Sequence, residues 1–532
     1  MLRLIAFEEK IMKRKIKVGL GNGKVEERIV NYIPVRYIIA FAITLFEVLA
    51  IIGVMVALCL FVPYFYIAVA ITTFAVEIKI IASDDNPDYK IPWMLFVLIL
   101  PVVGLMLYFI FGSRKLKKKF IKRLNDLKNL SYKKDDSELL SQLERENPIA
   151  SNQAKMLINI ADSHLFTNTK QTYYPSGEEY FGALLNDLKN ATKFIYLEYF
   201  IIEEGKFWDS ILDILKEKAK QGLDIKVAFD DIGCMATLPG NYAKQLKKLG
   251  IEATPFSRMK GQADNEFNNR NHRKITVIDG IIGYTGGINI ADEYINEFVK
   301  YGHWKDVGVR LEGEAVWELT KLFLIDFGIN LKTPLKFAED LYPKTENKIK
   351  GYVIPFGDGP KPLYERRVGK TIIQNMLATA TKYMYITTPY LIIDNEICTS
   401  IENAALRGVD VRIIVPHIPD KKIVFNMTRS FYKRFIQCGV KIYEYKPGFI
   451  HGKTYVSDDQ YAIIGTINLD YRSLVHHFEN GVWIYNCNCV ADLKNDIDNT
   501  INESIEIKSD KLKTNIFNRM FRAIVRIFAP ML

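Results

Sequence analysis

The chain has 532 residues, too long for one ordinary domain, and mixes 49% hydrophobic with 25% charged residues, which fits a soluble body joined to a very apolar piece. Its 71 Lys and Arg against 61 Asp and Glu leave a formal charge of +10, so an anionic partner is expected: nucleic acid, anionic lipid or a phosphorylated substrate. Six scattered cysteines, at 59, 234, 398, 438, 487 and 489, do not make a zinc ribbon and fit reduced thiols.

The first element in the chain is "KIKVGLGNGKVEERIV", which reads as a hairpin turning at Asn22-Gly23. It is not a phosphate-binding loop, because Val18 stands where the first glycine belongs and no Ser or Thr follows Lys24. From Tyr37 to Val76 nearly every residue is apolar, and a second apolar run covers Ile91 to Phe111. A bilayer span needs about 20 apolar residues. The second run therefore suits one span, kinked near Pro101 and Gly104. The first suits two spans turning near Pro63, or one long tilted span with an interfacial stretch. Both are too long for a soluble core, and the first starts too late to be a cleaved signal peptide. The acidic "SDDNPDYK" between the runs reads as a short external loop. Positive charge clusters before the first run (Lys13, Arg14, Lys15, Lys17, Arg36) and after the second (Arg114, Lys115, Lys117, Lys118, Lys119). Both ends thus prefer the cytoplasm, which asks for an even number of spans.

Beyond a basic, helical linker the chain repeats itself. "ATKFIYLEYFI" at Ala191 recurs as "ATKYMYITTPYLI" at Ala380, and "LGIEATPF" recurs as "CGVKIYEY". Each unit reads strand, helix, strand, with short non-alternating apolar strands covered on both faces. The fold class is therefore α/β, a pseudo-twofold body of two α/β/α sandwich repeats behind N-terminal transmembrane helices. "HRKITVIDGIIGYTGGIN" at His272 matches "HGKTYVSDDQYAIIGTIN" at His451, and both fit H-x-K-x4-D-x6-G-x-x-N. After them, "DVGVRL" at Asp306 matches "ENGVWI" at Glu479. The first copy carries ten extra residues before its histidine, in "SRMKGQADNEFNNRN", a polar loop expected to overhang it.

In an extended chain His272 and Lys274 share one face, while Asp279 points the other way. Asp279-Gly280 is a hairpin turn pair, with Asp458-Asp459 a weaker equivalent. Folding back there brings the chain opposite His272 near Gly287, with Asn289 just beyond, and brings Asn468 beside His451. Each copy would gather His, Lys and Asn at one end of a hairpin and leave its aspartate at the turn, in a structural role. A lysine beside each histidine opposes a divalent cation, so no metal is expected. Two lysines and two asparagines suit a phosphate instead. One neutral imidazole can attack phosphorus and the other, protonated, can donate to the leaving oxygen. Asp306 and Glu479 are candidates to hold the histidines' second nitrogens.

These motifs resemble the phospholipase D superfamily, whose members carry two H-x-K-x4-D motifs. More closely, "DDNPDYKIPWMLFVLILPVVGLMLYFIFG", "GHWKDVGVRLEG", "TTPYLIID" and "IHGKTYVSDDQYAIIGTINLDYRSL" resemble the bacterial cardiolipin synthase family over about 75–532. The resemblance implies a phosphatidyltransferase that moves phosphatidyl from one phosphatidylglycerol to another through a phosphohistidine, releasing glycerol. It implies no cofactor. It groups His272, Lys274, Asp279, His451, Lys453 and Asp458 as catalytic, with His272 the nucleophile and His451 the acid/base. It places the protein in the bacterial plasma membrane as a multi-pass protein with a cytoplasmic body, among anionic lipids and without nucleic acid. A hydrolytic phospholipase D making phosphatidic acid is the nearest alternative, with a superfamily nuclease and an inactive membrane adaptor behind it.

The chain thus divides into 1–36, a basic segment with the hairpin; 37–112, a membrane region of two or three spans; and 113–160, the linker. The repeats follow at 161–335 and 336–507. Residues 508–532 read as a basic amphipathic helix, with Ile516, Phe517, Phe521, Ile524 and Phe528 on its apolar face, lying in an anionic membrane surface or packing on the body.

Overall fold

The structure, a computed structural model, describes residues 13–20, 24–31, 35–112, 121–122, 126, 134–258, 268–329, 331, 341–343, 345, 349–508, 520, 525–527 and 529–531. Most of the 113–133 stretch, the middle of the polar loop before His272 and most of the expected C-terminal helix lie outside the described residues. Strands β1 (Lys13–Leu20) and β2 (Lys24–Asn31) form the expected antiparallel hairpin, with Leu20 opposite Lys24.

Four helices follow, at Val35–Phe61, Pro63–Ala82, Pro87–Ile99 and Pro101–Phe111. Among the described residues one helix, Tyr64–Ala82, is long and apolar enough to cross a membrane. The second apolar run forms two short helices and not the one kinked helix that its composition suggests. It breaks at Leu100 (φ −128°, ψ 70°) and folds back, so that Trp93 lies edge-on to Tyr108 with centroids 5.6 Å apart. Pro101 supplies the reason: it has no N–H to continue the ladder and disfavours helical dihedrals at Leu100. Gly104 lets the arms touch, since a Cβ there would sit 2.5 Å from the Phe96 carbonyl oxygen. The acidic segment between the runs, expected as an external loop, touches the body. Asn86 donates to Asp394, and Asp88 accepts from the Asn395 N–H and the Tyr471 hydroxyl, so this segment docks on the body.

The first half of the body carries β3 (Thr169–Tyr174), β4 (Phe194–Tyr199), β5 (Asp224–Asp230), β6 (Glu252–Phe256), β7 (Ile275–Ile278), β8 (Ile282–Gly286), β9 (His303–Lys305) and β10 (Gly308–Gly313). Its sheet runs β3-β10-β8-β7-β4-β5-β6. The second half has β11 (Tyr352–Asp358), β12 (Tyr383–Thr387), β13 (Leu391–Ile392), β14 (Asp410–Pro416), β15 (Lys441–Tyr445) and β16 (Gly448–Ile450). It continues with β17 (Thr454–Ser457), β18 (Tyr461–Gly465), β19 (Leu469–Asp470), β20 (Glu479–Tyr485) and β21 (Ser504–Glu506). Its sheet runs β11-β20-β18-β17-β12-β14-β15-β21. The two orders match strand for strand, with β21 added at one edge, as the sequence repeat requires.

The sheets face each other across one shared core. Val277, Val309, Val456 and Ile464 meet there with the helices Val316–Ile329 and Asn488–Asn502. Each sheet's outer face has its own helices. Lys206–Lys220, for example, buries Phe207, Trp208, Ile211, Ile214 and Leu215, a 3.6-residue stripe that covers the first sheet. The last part of the expected linker is core rather than connector. The helix Pro148–Ala161 buries Ala150, Ala154 and Leu157 against the second half, and Gln153 accepts from the Trp483 indole N–H at 2.9 Å. At the C-terminus, Ala529 is buried in the same core and Arg526 lies over Phe431, so these described residues pack on the body.

Candidate active site

The two H-x-K motifs sit where the halves join, and backbone pairing between the halves sets them there. β16 runs parallel to β9, with Ile450 opposite Lys305, and the next N–H, that of His451, donates to the Lys305 carbonyl at 2.7 Å. The same device recurs for the other motif. Asn271 bridges Phe478 in parallel, and the His272 N–H donates to the Phe478 carbonyl at 2.9 Å. Lys305 precedes Asp306, and Phe478 precedes Glu479. The pairing therefore lays each histidine beside the carboxylate of the opposite half. His272 Nδ1 donates to Glu479 Oε2 at 2.9 Å, and His451 Nδ1 donates to Asp306 Oδ2 at 2.6 Å. All four side chains are buried. With Nδ1 engaged, each Nε2 carries the free lone pair.

The carboxylates are themselves held. The Thr466 hydroxyl donates to Glu479. In the first copy Gly287 stands where Thr466 does, and a Cβ there would collide with the shorter Asp306 carboxylate, which instead accepts from its neighbour, the Val307 N–H, at 2.8 Å. The segment before His272 is tied down by buried charge. Arg270 makes a forked contact with Asp230, and Arg273 reaches Asp326 at 2.6 Å and the Glu479 carbonyl at 3.0 Å. Arg273 thus staples one half to the other from inside the motif.

Electrostatics follow from burial. His272 is pushed down to about 3 and His451 to about 4, mainly by desolvation, with the neighbouring lysines adding to it. Both imidazoles are therefore neutral at neutral pH with the site empty. Lys274 is pushed down to about 7 and Lys453 to about 8, again mainly by burial. Burial pushes Asp306 and Glu479 up, but their histidine partners outweigh it, and both carboxyls lie below the usual range. Lys274 Nζ donates to the His272 carbonyl at 2.6 Å and Lys453 Nζ to the His451 carbonyl. Each ammonium is thereby aimed along its own motif.

The structure places the other expected residues as follows. Asp279 and Asp458 lie at the turn end of their hairpins, with positive φ of 54° each, away from the imidazoles. Asp279 accepts from the backbone N–H groups of Thr192, Lys193 and Phe194, and Asp458 from those of Thr381, Lys382 and Tyr383. Each aspartate clamps the start of the adjacent strand, which corrects their grouping with the catalytic residues. The hairpin register sets Ile275 opposite Thr285 and Thr454 opposite Ile464, one residue from the expected register in the first copy. Asn289 accepts from the Ile201 N–H and donates to the Tyr294 hydroxyl at 2.8 Å. Asn468, by contrast, is buried with its Oδ1 unpaired.

Sequence reasoning gave no role to the rings around the site. Phe200 lies 5.1 Å from the His272 ring and 5.4 Å from Lys274 Nζ, while Tyr294, Trp304 and Phe449 surround His451 at 5.4–5.8 Å. Tyr294, Trp304 and Phe449 had only their proximity in the chain to the motifs as a signal, and Phe200 had none. His477, one of the doublet His476-His477, is buried 5.5 Å from the His272 ring, with both ring nitrogens unpaired. Its Nδ1 is 3.6 Å from Glu479, too long for a hydrogen bond. His272, His477 and Glu479 could offer a metal three ligand atoms within 4.8 Å, but the two nearby lysines favour an anion over a divalent cation. His303, His164 and His417 bond to Tyr445, Asp136 and Glu444 and lie outside this constellation.

Comparison with known proteins matches this geometry to a family. A family model described as cardiolipin synthase, PLD-like domain, matches residues 184–299 and 373–501, and one described as phospholipase D-nuclease N-terminal matches 67–113. A cardiolipin synthase of Halalkalibacterium halodurans is 32% identical over 88% of this chain and 94% of its own length. Cardiolipin synthase 2 of Bacillus cereus is 33% identical over 87% and 90%. An uncharacterized protein of Streptococcus mutans is 40% identical over 83% and 96%. Among solved structures, a phosphatidylserine synthase of Haemophilus influenzae shares the fold with a TM-score of 0.54 at 17% identity, covering 72% of this chain and 99% of that one.

Proposed function

The chain belongs to the cardiolipin synthase family of phospholipase D-like proteins, and on that premise we propose how its residues carry out phosphatidyl transfer. It is a membrane-associated phosphatidyltransferase acting on phospholipids through a phosphohistidine. The observation that carries the residue-level reading is the crossed pair of buried histidine–carboxylate contacts flanked by two buried lysines.

His272 Nε2, neutral and oriented by Glu479, attacks the phosphorus of phosphatidylglycerol. The P–O bond to the headgroup glycerol breaks, and His451 delivers a proton to that oxygen. Glycerol leaves and phosphatidyl remains on His272. A hydroxyl of a second phosphatidylglycerol then gives its proton to His451 and attacks phosphorus, releasing His272 and forming cardiolipin. Lys274, Lys453 and the Asn468 carboxamide surround the phosphate and offset its growing charge. His451 is neutral in the empty site, so it takes up a proton from water as the substrate binds: a phosphodiester anion beside it raises its affinity for a proton. Incubating the purified enzyme with phosphatidylglycerol vesicles is expected to yield cardiolipin and glycerol in equal amounts. Phosphatidic acid without cardiolipin would instead identify the hydrolytic alternative.

The lysines predict a pH profile. Each must be protonated to hold phosphate, and burial has brought both down to about 7 and about 8. A lowered lysine is charged only below its own value, so phosphate affinity is lost as pH rises through that range. The kcat/KM for phosphatidylglycerol is therefore expected to fall as the pH rises through about 7 and 8. A profile flat from about pH 6 to 10 would remove the lysines from phosphate binding.

We further assign the body to the cytoplasmic face of a multi-pass plasma-membrane protein. Basic residues before the first apolar helix and after the last apolar helix support this orientation.

A further inference from the structure

The helices Pro87–Ile99 and Pro101–Phe111 are 13 and 11 residues long, so each arm rises about 20 Å or less at ~1.5 Å per residue. Neither crosses a hydrocarbon core of about 30 Å. They are antiparallel: Trp93 meets Tyr108, and Gly104 abuts the backbone of Phe96 and Val97. Val97 and Leu105 are buried between the arms and the helix Pro63–Ala82, together with Val69, Val76 and Ile80. The outward side stays apolar, with Ile91, Leu98, Ile99 and Phe109 at 48–71% exposure. The tip leaves few open backbone donors. Leu100 N–H bonds to Phe96, Gly104 N–H bonds to Leu100, and Pro101 has none.

The base of this hairpin is seated on the catalytic body. Asp88 accepts from the Tyr471 hydroxyl at 3.1 Å and the Asn395 N–H at 3.0 Å. The Tyr89 ring stands edge-on to Tyr471 at 5.2 Å and to His476 at 6.4 Å. Tyr471 and His476 bracket the turn that leads into His477 and Glu479. The terminal residues Ala529–Met531 pack against the same helix.

We propose that 87–111 is a re-entrant membrane element. It enters the lipid leaflet next to the catalytic body and returns to the same face, and its base holds the cleft at the level of the phospholipid headgroups. The acidic segment 83–88 then lies on the body's side of the bilayer, not outside. Val35–Phe61, a 27-residue helix that also packs on the returning arm, crosses away from that face, and Tyr64–Ala82 crosses back to it. The chain ends up with two crossings and one re-entrant loop. That satisfies the basic clusters at both ends, which a third crossing would not.

The inference rests on backbone geometry and not on the reaction assigned above, so its test is topological. Single variants Asp84→Cys, Glu138→Cys and Tyr64→Cys place thiols at exposed positions on the docking segment, the body and the far end of the crossing helix. Spheroplasts carrying the full-length protein are treated with a membrane-impermeant maleimide before and after permeabilisation, and the labelled residue is mapped by mass spectrometry. Positions 84 and 138 are expected to label under the same condition, and position 64 under the opposite one. Labelling of 84 and 138 from opposite faces would make 87–111 a straight span and overturn the proposal. Lipid transfer by each variant, measured in parallel, verifies that the labelled protein is folded.

Discussion

His272→Ala is expected to lower cardiolipin formation by about 1,000-fold or more and to abolish the covalent intermediate, because among the described residues no other group presents a neutral nitrogen hydrogen-bonded to Glu479. His451→Ala is expected to fall by a similar overall factor but to differ in kind. Its nucleophile is intact, so phosphatidyl can still reach His272 slowly, and without a base for the incoming hydroxyl it should accumulate there. Phosphatidylglycerol labelled in its phosphorus distinguishes the two. Acid-labile label on protein should survive in the His451 variant and vanish in the His272 variant. The reverse pattern would exchange the roles of the two histidines, which the pseudosymmetry permits.

The second large effect is predicted for the crossed carboxylates. Glu479→Gln keeps the shape but replaces an acceptor with an amide that can donate to Nδ1. The imidazole would then take the tautomer with its proton on Nε2, and the attacking lone pair would be lost. A loss of roughly 100- to 10,000-fold in intermediate formation is expected. Asp306→Asn should do the same to His451, slowing proton transfer while leaving His272 able to attack. The halves are therefore expected to fail crosswise: a change in second-half Glu479 disables the first-half histidine, and a change in first-half Asp306 disables the second-half one. Burst measurements of the labelled intermediate test this. A normal burst in Glu479→Gln together with loss in Asp306→Asn would sink the assignment. Thermal unfolding of both variants separates misorientation from collapse, since both carboxylates are fully buried.

Much of the fold was legible because the chain writes it twice. Two matched motifs, two matched strand–helix–strand runs and the Asp279-Gly280 turn are local patterns, and periods of 2 and 3.6 residues report which side chains share a face. The structural role of Asp279 and Asp458 followed from the same parity. What a local pattern cannot report is who sits opposite. Asn289 carries the same motif position as Asn468, yet its amide bonds to Tyr294 and the Ile201 N–H while the Asn468 Oδ1 has no partner. His477 gave a weak signal as half of a doublet, and nothing in the sequence ranked it above His476. The second apolar run looked like a span because composition measures length and polarity but not the direction of the chain after Leu100.

By itself, then, the sequence determined the two-copy α/β body, the pairing of histidine with lysine on one face, the anionic character of the ligand and an apolar N-terminal region. The tertiary structure decided that the halves exchange carboxylates, that residues 148–161 belong to the core and that 87–111 turns back on itself. The physical reason is common to all three. Each depends on a surface meeting another distant in the chain: β9 beside β16, a helix against the second sheet, one arm against Gly104. Two equivalent carboxylates, or two apolar runs, look alike in sequence until packing gives them different neighbours.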